Sequence, residues 1–235
     1  MGVDLASAAK RTATCVIEWA DGRASVRELV VVADDDAITS LAAHADAVGI
    51  DAPFGWPAPF VELLTGKPRL DEWTHKQRDA LCFRETDHYI RRETGRWPLS
   101  VSSDRIGVVA MRCRGLLQRL READPAALKA VFEVYPAAAL RRWGLVDRSY
   151  KGAKRRAALV QLVGKLSAVA SWLDVPAEHG ELLRSSDDAF DALVASLVAR
   201  AARVGLTDEL PDDSCTRSEG WIELPKEGSL SALAM

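Results

Sequence analysis

The sequence predicts an α/β fold: a mixed sheet of three antiparallel strands followed by parallel strands, flanked by helices and carrying a helical insertion. Three observations predict it. Three short apolar segments open the chain with no helix between them, a helix and a buried strand follow, and a long apolar helix lies near the end. A dinucleotide-binding start would alternate strand and helix from the first element and carry a G-x-G-x-x-G turn, which this chain lacks.

GVDLA (2–6) is a short apolar run interrupted by Asp4. TATCVIEWADG (12–22) alternates, with Ala13, Cys15, Ile17 and Trp19 on one face, the period-two signature of a strand. Asp21-Gly22 is a hairpin signal, so ASVRELVVVAD (24–34) is the returning strand. Asp35 and Asp36 begin a helix over AITSLAAHA, with their carboxylates at its positive end. DAVGID (46–51) is the next strand, apolar enough to be buried. GIDAPFGWP (49–57) stops it, because the prolines forbid further pairing and leave Asp51 where the strand exits. Strand–strand–strand–helix–strand is the first half of a ribonuclease H-like arrangement.

From Pro57 to about Pro125, charged and aromatic residues recur at helical spacing, as in TDHYIRRETG and MRCRGLLQRLREADP, and predict a mainly helical insertion at about 57–125. AVFEVYPAAAL (130–140) resumes strand texture and stops at Pro136. The basic stretch RRWGLVDRSYKGAKRR (141–156) leads to a helix over AALVQLVGKLSAVASWL (157–173). SSDDAFDALVASLVARAARVG (185–205) is the clearest helix. Ser185 or Ser186 caps it, Phe190, Leu193, Val194, Leu197 and Val198 form its core stripe, and Gly205 ends it. EGWIELP (219–225) reads as a final edge strand and GSLSALAM as a frayed end.

At 235 residues and 48% apolar, the chain suits one domain, 1–235, with a sizeable core. A formal charge of -3 argues against wrapping nucleic acid by bulk charge and leaves room for a local basic patch. Cys15, Cys82, Cys113 and Cys215 are scattered with no C-x-x-C pair, and the four histidines show no H-E-x-x-H spacing. Neither zinc nor a disulfide framework is expected. Reduced thiols, no charged leader in MGVDLASAAKR and no run near the roughly 20 apolar residues of a span predict a cytoplasmic protein without a membrane partner.

Four places set a carboxylate against apolar sequence: Asp4, Asp51, Glu133 in FEVYP, and Asp188 with Asp191 in DDAFDAL. An ionised carboxylate is costly to bury unless it is paired or bound to a cation. Several on neighbouring strands would repel one another, and a divalent ion relieves that repulsion. Mg²⁺ or Mn²⁺ suits such hard oxygen ligands. Two ions about 3.5–4 Å apart can activate water and stabilise the leaving oxygen of a phosphodiester. Asp188 and Asp191 share part of one helical face, Asp191 flanks the core stripe, and Asp187 is an alternative to it. Each acid alone has a plainer role as cap, turn or arginine partner. Their joint placement on three strands and the last long helix favours a metal site.

Arg84, beside Thr86, Asp87, Arg91 and Arg92, either clamps a phosphate with its planar fork or pairs with Glu85 or Asp87. In 141–156 seven basic residues face Asp147 alone, a balance of about +6 that either steers an anionic backbone or is solvated surface. Lys151 and Lys154 are its best candidates for contacts. Trp56 and Trp97 either stack on bases or pack inside.

GVDLA with Lys10 after it, GIDAPFGWP, RETDHYIRR, FEVYPAAALRRWG, YKGAKRR and DDAFDALVASLVARA together resemble the domain-of-unknown-function family 429, bacterial and archaeal proteins predicted to be ribonuclease H-like nucleases. The matching pieces span nearly the whole chain. DAFDAL is also similar to the D-A-x-D-A helix of RuvC-type junction resolvases. The resemblance implies metal-binding roles for Asp4, Asp51 and Asp188 or Asp191, with Glu133 on the family's Glu-x-x-Pro strand. It implies a metal-dependent nuclease in which Asp4, Asp51, Glu133, Asp188 and Asp191 form the catalytic group. Lys10, Arg84, Lys151 and Lys154 would contact a nucleic acid, DNA or RNA. Two rivals share the fold. One is a phosphotransferase of the actin and sugar-kinase superfamily, which carries two related halves and glycine-rich phosphate loops not seen here. The other is a binding or regulatory protein without turnover.

Overall fold

Alternate residues of each strand face opposite sides of the sheet, and helices cover both sides. A computed structural model describes residues 1–66, 73–123, 130–145, 149–211 and 218–234. Strands β1 (Gly2–Asp4), β2 (Ala13–Ala20) and β3 (Arg23–Val31) form the antiparallel set. Helix α1 (Asp35–Ala42) crosses over to β4 (Val48–Asp51), which runs parallel to β1. Helices α2 (Ala58–Leu64), α3 (His75–Cys82), α4 (Glu85–Thr94) and α5 (Ile106–Ala123) stand between β4 and β5 (Val131–Glu133). There follow α6 (Pro136–Arg142), α7 (Arg156–Val169), β6 (Leu173–Asp174), α8 (Ala177–Ser185) and α9 (Asp187–Arg203). The sheet order is β5-β4-β1-β2-β3-β6, with β4–β5 and β3–β6 parallel. This is the mixed ribonuclease H-like arrangement that the order of elements predicts.

Local chemistry explains most boundaries. Asp21 and Gly22 both take positive φ, 49° and 75°, as a two-residue hairpin turn demands, so Ala20 pairs with Arg23. Asp34 caps α1 by accepting from Ala37 N–H at 2.8 Å, one residue ahead of the acids expected to open it. Ser186 is the cap of α9 and accepts from Ala189 N–H.

Several expectations need correction. The helix expected over 157–173 stops at Val169, because the chain turns at Ala170 and lays Leu173–Asp174 beside β3. Helices α6 and α8 were not foreseen; Pro136 starts the first instead of merely ending a strand. Residues 219–225 form no strand of the sheet. Ile222 makes one isolated parallel bridge to Glu133, and its N–H is taken by Thr86 Oγ1 at 2.9 Å. Residues 228–234 are not frayed: Leu230 and Leu233 are buried in the main core, and Ser229 accepts from the Trp143 indole N–H. Cys15, Cys82 and Cys113 are free thiols. Cys215, Asp147, Arg148 and the Pro125 end of the insertion lie outside the described residues. Among the described residues no helix is long and apolar enough to cross a membrane.

Two apolar layers hold the sheet. Val3, Leu5, Val48 and Ile50 pack with Ile38 of α1 and Cys113, Leu116 and Leu120 of α5. On the other face, Ala13, Cys15 and Ile17 pack with Phe190, Leu193, Val194 and Leu197 of α9 and with Leu159, Leu162 and Leu166 of α7. The expected α9 stripe is buried, and Ala189 to Ala199 are buried as well, because the helix is covered on several sides.

Glycines set the depth of that helix. A Cβ on Gly2 would lie 2.1 Å from the Ala192 carbonyl oxygen, and one on Gly49 would lie 2.4 Å from that of Ala195. The α9 backbone therefore rests directly on β1 and β4. Gly49→Ala is expected to destabilise the protein by about 1–3 kcal/mol, since backbone must shift to admit the methyl. Gly115→Ala, in open space within α5, should instead stabilise it by about 0.5–1 kcal/mol. Urea unfolding of the two variants checks the opposite signs.

Candidate metal centre

The parallel pairing of β1 with β4 sets Gly2 against Gly49, Val3 against Ile50 and Asp4 against Asp51. The two strands thus carry the same Gly-x-Asp triplet in the same register. Their glycines and aspartates share the α9 face, while Val3 and Ile50 face α1 and α5. Because α9 lies against both glycines, Asp191, one turn before Ala195, reaches the two strand-end carboxylates. One carboxylate oxygen from each of Asp4, Asp51 and Asp191 lies within 4.8 Å of the others. Asp191 is buried; Asp4 and Asp51 are partly exposed at the C-terminal ends of their strands.

Crowding shows in their acidity. Burial, then the Asp191 and Asp51 charges, push the Asp4 carboxyl well above the usual carboxylate range. Burial pushes Asp51 up to about 7, against the pull of Lys151. Burial also raises Asp191, although Lys151 and Tyr150 draw it down. Three hard oxygen donors that resist sharing so much negative charge fit a divalent ion. The donor set is three carboxylates, with no thiolate or imidazole.

The chain supplies a cation of its own. Lys151 Nζ contacts Asp191 Oδ2, and the Tyr150 hydroxyl donates to Asp191 Oδ1. Burial alone would lower the Lys151 pKa; Asp191, Asp51 and Asp4 together raise it instead. The lysine stem is half-exposed, so the ammonium reaches the carboxylates from the solvent side. Asp187 fixes this loop by accepting from Gly152 N–H at 2.9 Å, and Gly152 takes a φ of 94° that other residues rarely adopt.

The structure sorts the remaining sequence candidates. Asp188 points to Arg11, 3.0 Å away, and lies outside the three-carboxylate group; Asp191 is the helix acid within it. Glu133 also lies outside that group. It is 2% exposed, paired with Arg84 at 2.8 Å and bonded to Phe54 N–H at 3.0 Å. Arg84, the buried N-cap residue of α4, has its guanidinium committed to Asp87, Glu133 and the Glu219 carbonyl, the pairing alternative to a phosphate clamp. Lys10 and Lys154 are exposed on short 3-10 turns, whereas Lys151 is at the cluster. Trp56 is partly buried, and Trp97 stacks on Phe83.

Other groups that build the site were missed. Tyr150 was read only as part of a basic run. Arg112 of α5 bonds Asp35, the Ala6 carbonyl and Thr12, tying the exit of β1 to the starts of β2 and α1. Glu219 receives the first N–H of both α2 and α4, from Ala58 at 2.6 Å and Glu85 at 2.9 Å, in place of a local cap. The signal available for the strand pair was the repeated Gly-x-Asp. For Arg112 and Glu219 no local signal exists.

A cavity of about 300 Å³ opens beside Asp51 and Lys151, with Arg96, Trp97, Leu99 and Tyr135 in its walls. A family model described as "Protein of unknown function (DUF429)" matches residues 2–216. No curated protein and no solved structure matches the chain.

Proposed function

The chain belongs to the DUF429 family, and on that premise we propose that it is a Mg²⁺- or Mn²⁺-dependent phosphodiesterase acting on nucleic acid. The observation that carries this reading is the convergence of Asp4, Asp51 and Asp191, from β1, β4 and α9, with oxygens within 4.8 Å of one another. Those three residues would hold the ion, which when bound supplies Lewis-acid polarisation of a phosphoryl oxygen and a more acidic water. The protein's part is placement. Tyr150 holds the Asp191 carboxylate in one orientation, and the Gly152–Asp187 bond holds the loop that carries Lys151. Lys151, whose ammonium lies at the cluster, would face a non-bridging phosphate oxygen. Glu133 and Arg84 act at a distance: Glu133 anchors the Phe54 amide in the loop that follows Asp51.

The test is a panel of labelled single-stranded, duplex, hybrid and branched substrates, each with Mg²⁺, Mn²⁺ or chelator, beside a melting curve with each ion. Ion-dependent cleavage that chelator stops is the expected result. Ion-induced stabilisation with no cleavage of any substrate would replace the enzyme with a metal-binding protein, the reading that the built-in Lys151 counter-charge favours. The absence of both stabilisation and cleavage would remove the metal reading itself.

A further inference from the structure

The cavity beside the carboxylates has a composition that the metal reading does not use. Its lining includes Asp51 and Lys151 together with Pro53, Arg96, Trp97, Pro98, Leu99 and Tyr135. Trp97 is 38% exposed and Leu99 60% exposed, although both are large and apolar. The Trp97 ring is held rather than loose: Phe83 stacks on it at 4.2 Å and His88 meets it edge-on at 5.1 Å. A fixed aromatic surface left open to solvent, next to an exposed leucine, is a wall without a partner.

Charge tells which partner fits. Glu133 and Arg84 also reach the cavity but neutralise each other at 2.8 Å. Arg96 at the rim contacts the Tyr135 phenol, and Arg91 sits 6.0 Å from the Trp97 centroid. The cavity therefore combines cations and the carboxylate Asp51 with an apolar wall of Trp97, Pro98 and Leu99. A nucleotide has that division, with an anionic phosphate on one side and a planar base on the other. The volume of about 300 Å³ is at the low end for small-ligand sites and suits one such unit. A duplex keeps its bases stacked inward and offers such a wall nothing to bind.

We propose that this cavity receives one unpaired nucleobase, so that the substrate of the nuclease proposed above is a single-stranded or locally opened nucleic acid. The base lies against Trp97, Leu99 and Tyr135, and its phosphate faces Lys151 and the carboxylates.

The experiment measures fluorescence anisotropy of a short labelled thymidine strand, the same strand in a blunt duplex, and an abasic strand of equal length. Ca²⁺ replaces the catalytic ion so that the strand stays intact. Single strand should bind about 10-fold tighter than duplex or abasic strand. Trp97→Ala should remove most of that preference, Trp97→Phe should keep part of it, and neither should alter Mn²⁺ binding measured by calorimetry. Equal affinity for all three probes, or a Trp97→Ala loss shared equally by the abasic strand, overturns the pocket. The two readings fail separately. Base-dependent binding without cleavage of any substrate leaves the pocket and removes the nuclease, whereas cleavage with no preference for the intact single strand does the reverse.

Discussion

Asp51→Asn is expected to reduce ion-dependent cleavage by about 10³-fold, roughly 4 kcal/mol of transition-state stabilisation, while making the ion-free protein more stable. Both effects come from one carboxylate. Burial holds Asp51 at about 7, so between its ordinary value of 3.8 and about 7 the folded chain keeps a proton that the unfolded chain has released. The stability of the ion-free protein therefore falls as pH rises through that window. Asparagine has nearly the same shape and no charge, so it removes this dependence. The gain near neutral pH is on the order of 2 kcal/mol, after allowance for water that reaches the partly exposed group. Urea unfolding in chelator across that pH window, paired with melting curves in Mn²⁺, reads both signs. An ordinary packing defect would lower stability with and without the ion. A variant that is less stable than wild type in chelator, or that keeps its ion-induced shift in melting temperature, would remove the shared-ion account.

Arg84→Met should cost about 3–5 kcal/mol in stability, because it strands two buried carboxylates. The guanidinium reaches Asp87 at 3.0 Å and Glu133 at 2.8 Å, with all three side chains at most 2% exposed. It also donates to the Glu219 carbonyl, so one side chain joins α4, β5 and the segment after residue 217. Burial already raises the Glu133 pKa against the pull of Arg84, and losing the cation raises it further. The folded variant then takes up a proton more readily than the unfolded chain, so its deficit relative to wild type shrinks as pH falls. Arg84→Lys keeps the charge and loses the fork, and should fall between the two. Denaturant unfolding near neutral pH and at mildly acidic pH tests this. A cost under about 1 kcal/mol with no pH dependence would return Arg84 to the pool of ligand contacts.

Near-neighbour chemistry made much of the molecule legible. The Asp21-Gly22 turn, the alternation of Ala13, Cys15 and Ile17, the proline stop after Asp51 and the Ser186 cap depend on residues a few positions apart. Steric and hydrogen-bonding preferences act over that range. They place β1 to β4, α1 and α9, and with them the strand-end acids Asp4 and Asp51. The Gly-x-Asp triplets at 2–4 and 49–51 also state where a helix backbone can lie, because only the absent Cβ admits it.

Electrostatic partners were beyond that range. Arg11 meets Asp188 across 177 positions, Arg84 meets Glu133 across 49, and Tyr150 meets Asp191 across 41. Each charge in the sequence had several possible opposites, and only packing brought one of them into contact. By itself the sequence determined the order of β1 to β4, α1 and α9 and which acids end on strands. Tertiary structure alone decided that Asp191 rather than Asp188 joins them, that Glu133 is neutralised, and that Lys151 reaches the cluster. Backbone form follows from local geometry, whereas the state of a buried charge depends on whatever the whole fold places beside it.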